Sequence, residues 1–146
     1  MNKTLNYLTL LFIVIIFPDF VIQYFISGKP VSVFTYIGLG LMIPGFILLI
    51  IARLQLGSSF SIEAQANQLV TKGLYKKFRH PIYYFGTMLI IGTYIFSMSF
   101  FSSRRYMPFL LLLFIIIQFN RIKKEEKVLK EKFGDEYLAY RKNTWF

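Results

Sequence analysis

The chain has 146 residues, of which 55% are hydrophobic, 19% aromatic and only 16% charged, whereas a soluble domain carries about a quarter charged residues. This composition excludes an ordinary soluble protein and favours one domain embedded in a membrane. The net charge of +10 comes with no nucleic-acid motif, so we attribute it to the cytoplasmic bias of Lys and Arg and to anionic membrane lipids rather than to nucleic acid.

Four apolar runs predict membrane-spanning helices, because about 20 apolar residues are needed to cross the hydrocarbon core. The runs cover residues 5–26, 31–52, 81–101 and 106–120. A signal peptide is the alternative for the first run, but the run exceeds the usual apolar region of about 7–15 residues and no A-x-A-like site follows it. The fourth run would measure only about 22 Å, against a core of roughly 30 Å, so we expect its helix to continue into the polar tail.

Local signals predict several details of these helices. Gly38, Gly40 and Gly45 in the second span are expected to let a neighbouring helix approach closely. Pro81 fits the first position of the third helix, where its missing N–H costs nothing. Gly134 is typical of a helix end, so a short final helix is expected after it.

Two polar segments, residues 53–80 and 121–146, contain five and eight of the 17 Lys and Arg residues. Because these residues favour the cytoplasmic side, both segments and the N-terminus are predicted to face the cytoplasm. The predicted architecture is a single, all-α integral membrane domain with a cytoplasmic loop at 53–80 and an amphipathic helical tail at 121–146. Abundant Ile, Phe, Lys, Tyr and Asn favour a bacterial origin, and hence a bacterial cytoplasmic membrane.

The two polar segments are expected to meet, because the third and fourth helices are antiparallel and the start of one lies beside the end of the other. This arrangement brings His80 and Tyr83 near Arg121 and Glu125. The first turn of the third helix offers free N–H groups and a positive dipole end, which suit a carboxylate or phosphate. Arg121 and Glu125 are four residues apart and share a helix face, so the four residues together suit a zwitterionic ligand.

Each of these residues also has an ordinary structural interpretation. His80 could be an interfacial helix cap, Tyr83 a residue of the aromatic belt, and Arg121 with Glu125 a surface ion pair of little energetic value. The chain has no Cys and one His, which excludes thiolate nucleophiles and Cys- or His-rich metal sites, so we expect no metal.

Four motifs occur in order along the chain: Leu69-Val70-Thr71-Lys72-Gly73-Leu74-Tyr75, Arg79-His80-Pro81-Ile82-Tyr83, Arg121-x-x-x-Glu125-Glu126 and Phe133-Gly134-x-x-Tyr137-x-x-Tyr140. This ordered set covers about residues 56–141 and resembles the isoprenylcysteine carboxyl methyltransferase family, which is related to phospholipid methyltransferases. The resemblance implies S-adenosylmethionine as cofactor and a lipophilic acceptor, of the isoprenylcysteine carboxylate type.

The resemblance also implies roles for individual residues. Arg121 matches the position that orients the acceptor carboxylate, which makes it the expected catalytic and substrate-binding residue. The expected cofactor contacts are Asn67, Gln68, Leu69, Val70, Tyr75, His80, Pro81, Ile82, Tyr83 and Glu125. The alternatives are a phospholipid or small-lipid N-methyltransferase, an NADPH-dependent membrane reductase and a non-catalytic protein that binds lipid through its basic tail.

Overall fold

The computed structural model describes residues 15, 17–28, 30–56, 69–98 and 107–145. Within these ranges the chain is helical and contains no β-strand, which confirms the predicted all-α class for this part of the protein. We call the helical residues 17–26 α1; α2 is Val33–Leu56, α3 is Pro81–Ser97 and α4 is Met107–Lys142. A short 3-10 turn, Gly73–Lys76, precedes α3.

The helices follow the predicted apolar runs, with differences at their ends. α2 continues past Ala52 to Leu56, so the prediction that the loop begins at Arg53 is wrong. Arg, Leu and Gln all favour a helix, so backbone hydrogen bonding continues for a turn after the apolar pattern has ended. α3 ends at Ser97. The predicted span residues 5–14 and 99–101 and the loop residues 57–68 lie outside the described residues.

α4 is one long element of 36 residues that crosses the predicted boundary at residue 121 without interruption. The prediction that the fourth span continues into the tail is therefore confirmed. The backbone leaves the helical conformation at Gly134, where φ is 49° and ψ is −120°, and a final helical segment follows to Lys142. Such angles are open to Gly and strained for other residues, so the predicted break at Gly134 is also confirmed.

α2 and α3 pack closely through glycines. A Cβ atom at Gly38 would lie 2.5 Å from the backbone N of Phe96, and one at Gly45 would lie 2.9 Å from the backbone N of Leu89. These two positions are seven residues apart and share a face of α2. The prediction is wrong for Gly40, whose Cβ would meet nothing within 4 Å, because two residues along a helix is more than half a turn and takes Gly40 to the outer face.

Gly38→Ala is expected to destabilise the protein by about 1–3 kcal/mol, because the new methyl group overlaps backbone atoms of α3 that cannot move aside as a side chain can. Gly40→Ala is the matched control, and it should leave stability unchanged or raise it by up to about 1 kcal/mol through better helix propensity. Thermal unfolding in detergent measures both variants. Equal melting temperatures for the two would contradict the observed packing.

Among the described residues, buried hydrophobic side chains form one cluster at each end of the α2–α3 pair. Tyr24, Met42 and Phe96 join α1, α2 and α3 at one end. At the other end, Leu49 and Phe85 pack with Tyr75, which belongs to the 3-10 turn. This second cluster anchors the turn to α2 and α3 and so fixes the chain just before it enters α3.

Among the described helices, α2 alone is both long and apolar enough to cross a membrane. At 1.5 Å per residue its 24 residues extend about 36 Å, more than the roughly 30 Å of a hydrocarbon core. α3 is also apolar but has 17 residues. Large hydrophobic side chains are exposed along α2 and the first half of α4, including Val33, Tyr36, Ile43, Ile47, Leu54, Phe109, Leu112, Ile116, Ile117 and Phe119.

Candidate functional site

The candidate site lies where α3 begins. His80 is the residue before the helix, and Pro81 occupies the predicted first position. The carbonyl of His80 accepts hydrogen bonds from the N–H groups of Tyr83 and Tyr84, at 3.0 and 3.3 Å. The imidazole of His80 makes no capping hydrogen bond. A role as an interfacial cap therefore does not describe this side chain, which is directed elsewhere.

The imidazole of His80 lies between two carboxylates of α4. Its Nδ1 is 3.6 Å from Oε2 of Glu125, and its Nε2 is 3.5 Å from Oε1 of Glu126. The residue is only 3% exposed. The expectation that the start of α3 meets α4 near Glu125 is confirmed, but both distances are too long for good hydrogen bonds. The buried imidazole of His80 therefore lies between two carboxylates without a short hydrogen bond to either.

Glu126 makes a much closer ion pair with Arg79. Arg79 Nη1 donates to Glu126 Oε1 at 2.6 Å, and the two side chains are 17% and 25% exposed. A hydrogen bond of this length between two charged groups is among the stronger ones in proteins. Both residues stand in the motifs quoted above, Arg79 in the Arg79-His80-Pro81 cluster and Glu126 beside Glu125, but neither is among the predicted site residues. The signal available there was their adjacency to His80 and Glu125.

Arg121 lies one helical turn before Glu125, on the side of the site that leads towards the apolar part of α4. Its guanidinium carbon is 5.8 Å from the centre of the Tyr83 ring, within the range of a cation–π interaction. The Tyr83 ring also contacts the His80 ring, with centroids 5.9 Å apart. The structure therefore brings together His80, Tyr83, Arg121 and Glu125, as predicted.

Two buried tyrosines from other parts of the chain complete the candidate site. Tyr75 is 6% exposed and Tyr137 is 1% exposed. Burial raises the pKa of Tyr75 far above its ordinary value, and Glu125 raises it further. Burial also raises the pKa of Tyr137, with a smaller rise from Glu126, while Arg79 and Arg141 oppose the rise. Both hydroxyls therefore keep their protons at neutral pH and can donate hydrogen bonds.

Several buried polar atoms at this junction have no hydrogen-bond partner among the described residues. They are Tyr75 Oη, Arg79 Nε, His80 Nε2, Glu125 Oε2 and Tyr137 Oη. Nearly all buried polar groups in proteins are paired, so several unpaired ones around a single point are unusual. We call these five residues the polar junction.

Two of the other predicted cofactor contacts, Pro81 and Ile82, directly follow His80 in the first turn of α3. Val70 and Ile82 pack against the cluster that contains Tyr75. Pro81 is fully buried and Leu69 is half-buried. Asn67 and Gln68 lie outside the described residues. Within the described ranges, no group of three or more His, Asp or Glu side chains is arranged so that it could hold a metal ion.

An apolar cavity of about 380 Å³ lies between α2, α3 and α4, next to the polar junction. Tyr83 connects the cavity to the polar junction, since it lines the cavity and its ring also contacts the His80 ring. The remaining lining is mostly apolar and includes Leu41, Met88, Ile91, Ile115, Phe119 and Ile122. The site thus has a polar part and an apolar part that meet at Tyr83.

The fold and the site define a small helical protein in which an apolar helix pair carries a polar junction at one end. The chain belongs to the family described as "Protein of unknown function (DUF1295)", whose sequence profile matches residues 4–144. It is also 34% identical, over 135 residues, to a protein of Schizosaccharomyces pombe (strain 972 / ATCC 24843) that is named protein-S-isoprenylcysteine O-methyltransferase. That match covers 88% of this chain and 52% of the relative, so the chain spans about half the length of the curated protein that it matches. The resemblance carried by the four motifs is confirmed.

Proposed function

We propose that this protein is an integral membrane methyltransferase that transfers a methyl group from S-adenosylmethionine to a lipophilic acceptor. The polar junction is the observation that carries the proposal. An unpaired buried polar atom costs about 1–3 kcal/mol, so a protein that maintains five of them around one point favours a ligand that pairs with them. The similarity to a protein named as a methyltransferase supports the same class of reaction.

The residues present fit the amino-acid end of S-adenosylmethionine. Tyr75, Tyr137 and Arg79 offer hydrogen-bond donors, and Glu125 offers an acceptor. A ligand that satisfies both kinds must carry acceptor and donor groups together, as the carboxylate and ammonium of this cofactor do. The carboxylate would lie near the start of α3, where the helix dipole favours a negative charge, and the ammonium near Glu125.

When bound, S-adenosylmethionine supplies a methyl group on a positively charged sulfur. A nucleophile attacks the methyl carbon in line with the carbon–sulfur bond, and the sulfur leaves. The protein therefore has to align the two reactants and exclude water. We assign Arg121 to the acceptor, because it is close to Tyr83 and so to the apolar cavity that Tyr83 lines. The cavity would hold the apolar part of the acceptor. A carboxylate acceptor is already ionised at neutral pH and needs no general base.

The proposal places the protein in a membrane, for which a bacterial cytoplasmic membrane with both termini on the cytoplasmic side is the arrangement we favour. The exposed apolar side chains of α2 and early α4 would contact lipid tails. The second half of α4 is rich in exposed lysines, including Lys123, Lys124, Lys127 and Lys130, which suit anionic headgroups. The polar junction then lies at the cytoplasmic end of α3.

Calorimetry on the purified protein in detergent tests the cofactor directly. We expect wild-type protein to bind S-adenosylmethionine and His80→Ala to bind it at least about 10-fold more weakly, because the variant loses one group of the polar junction and opens a void there. Lys130→Ala is the control, since this exposed residue should leave affinity unchanged. An absence of binding to wild-type protein would contradict the proposal.

The acceptor is tested separately, with labelled methyl donor added to native membranes that contain the protein. A carboxyl methyl ester releases labelled methanol in mild base, whereas a methylated amine keeps its label. Base-labile label in a lipid-soluble product is the result that we expect. Base-stable label would keep the methyltransferase and replace the carboxylate by an amine acceptor.

A further inference from the structure

The 3-10 turn that carries Tyr75 is held at its backbone by the far end of the chain. Tyr140 Oη donates a hydrogen bond of 2.6 Å to the carbonyl of Tyr75. The N–H of Trp145 donates one of 2.8 Å to the carbonyl of Lys77. These contacts join residues that are more than 60 positions apart, and they act on the main chain of the turn rather than on its side chains.

A third contact joins the same turn to the end of α2. Gln55, in the last turn of α2, accepts a hydrogen bond of 2.7 Å from the N–H of Leu74. Gly73 has a φ of 62° and no room for a Cβ beside the Gln55 side chain. The turn is therefore fixed between the end of α2 and the final helical segment.

The break at Gly134 directs the final segment onto the turn. After the break, Tyr137 packs against Tyr140 with ring centroids 6.4 Å apart. Trp145 packs against Phe78, also at 6.4 Å, and lies below the Lys77 ammonium at 5.7 Å. The final segment and Trp145 thus contact Tyr75 in the turn and the two residues that follow the turn, Lys77 and Phe78.

We propose that Tyr140 is a positioning residue for the cofactor site: by bonding to the Tyr75 carbonyl it fixes the turn, so that the Tyr75 hydroxyl and the following Arg79-His80 pair face the ligand. This inference rests on the proposed function. Tyr140 itself does not contact the ligand, because its hydroxyl is already bonded to the turn. Tyr75 has the complementary arrangement, since its carbonyl is held and its hydroxyl is unpaired.

The Tyr140 bond is available throughout the neutral pH range. Burial raises the pKa of Tyr140 to about 12, and Tyr137 contributes to the rise while Arg79 opposes it. The hydroxyl therefore remains a donor until the pH is far above that of any cell. Loss of the bond has to come from a substitution rather than from titration.

Tyr140→Phe removes this hydroxyl and keeps the ring. We expect the KM for S-adenosylmethionine and its dissociation constant to rise about 2- to 12-fold, the range for loss of one hydrogen bond, while kcat at saturating donor changes less than about twofold. A merely structural role would lower the amount of folded protein and leave KM unchanged. Tyr36→Phe, at an exposed position on α2, is the matched control and should change neither constant.

Hydrogen exchange on the protein without any ligand gives a second readout. The amides of residues 74–78 should exchange faster in Tyr140→Phe than in wild-type protein. In the control Tyr36→Phe they should exchange at the wild-type rate. If Tyr140→Phe does not fold, Gln55→Ala should raise KM in the same way, and Gln55→Glu, which keeps an acceptor oxygen, should restore it.

The outcomes separate this inference from the proposed function. Wild-type binding of S-adenosylmethionine with an unchanged KM in Tyr140→Phe overturns the positioning role alone. An absence of binding to wild-type protein overturns both. A raised KM with unchanged kcat and faster exchange of the turn supports both.

Discussion

Arg121→Ala is expected to lower methyl transfer by about 100-fold or more, while the dissociation constant of S-adenosylmethionine changes less than about threefold. The asymmetry follows from where Arg121 lies. Its guanidinium lies over the ring of Tyr83, a residue that lines the apolar cavity, and it is one helical turn from Glu125. A residue in that position can orient the head of an acceptor without bonding to the donor. Loss of orientation removes turnover even when both reactants still bind.

Two further variants make the Arg121 result specific. Arg121→Lys keeps the charge but loses the planar, two-pronged donor that matches a carboxylate, so an intermediate loss of about 10-fold is expected. Lys124→Ala removes an exposed charge from the same stretch of α4 and should leave turnover unchanged. Transfer assays and calorimetry on the same preparations measure both quantities. If Arg121→Ala loses donor binding as severely as turnover, Arg121 belongs to the cofactor and not to the acceptor.

Much of this arrangement could be predicted because it depends on local signals and chain connectivity. Pro81 can begin a helix but not continue one, and Gly134 can adopt a backbone conformation that strains other residues. An antiparallel pair of helices joined by a short connection must bring its outer ends together. The meeting of His80 with Glu125 follows from these facts and from the lengths of the apolar runs alone.

The remaining features depend on the rotation of each helix about its axis, which the sequence does not specify. Gly38 and Gly40 are the same residue type in the same apolar run, yet of these two only Gly38 faces α3. The family resemblance implies a cofactor contact for Glu125 and none for Glu126, although both carboxylates approach His80. The bond from Tyr140 to a backbone carbonyl could not be predicted either, because any residue type can provide that carbonyl.

Glu126→Ala is expected to destabilise the folded protein by about 2–4 kcal/mol and to weaken binding of S-adenosylmethionine. Removing one partner of a buried ion pair costs about 3–5 kcal/mol, because the other charge stays buried without compensation. The Arg79–Glu126 pair is 17% and 25% exposed, so solvent reduces that cost somewhat. Arg79 would also be free to move away from the polar junction, which is why the affinity for the cofactor should fall together with stability.

Glu131→Ala is the matched control for Glu126→Ala. Glu131 lies on the same helix, and its carboxylate is 3.9 Å from Lys127 in a pair whose side chains are 64% and 78% exposed. Exposed pairs of this kind contribute about 0–1 kcal/mol, so thermal unfolding should hardly change.

The double variant Arg79→Met with Glu126→Leu should recover most of the stability lost in Glu126→Ala, because no unpaired charge remains. It should not recover cofactor binding, since the Arg79 donor is gone. Recovery of both would mean that the pair supports only the fold, and that the site depends on His80, Glu125 and the tyrosines alone.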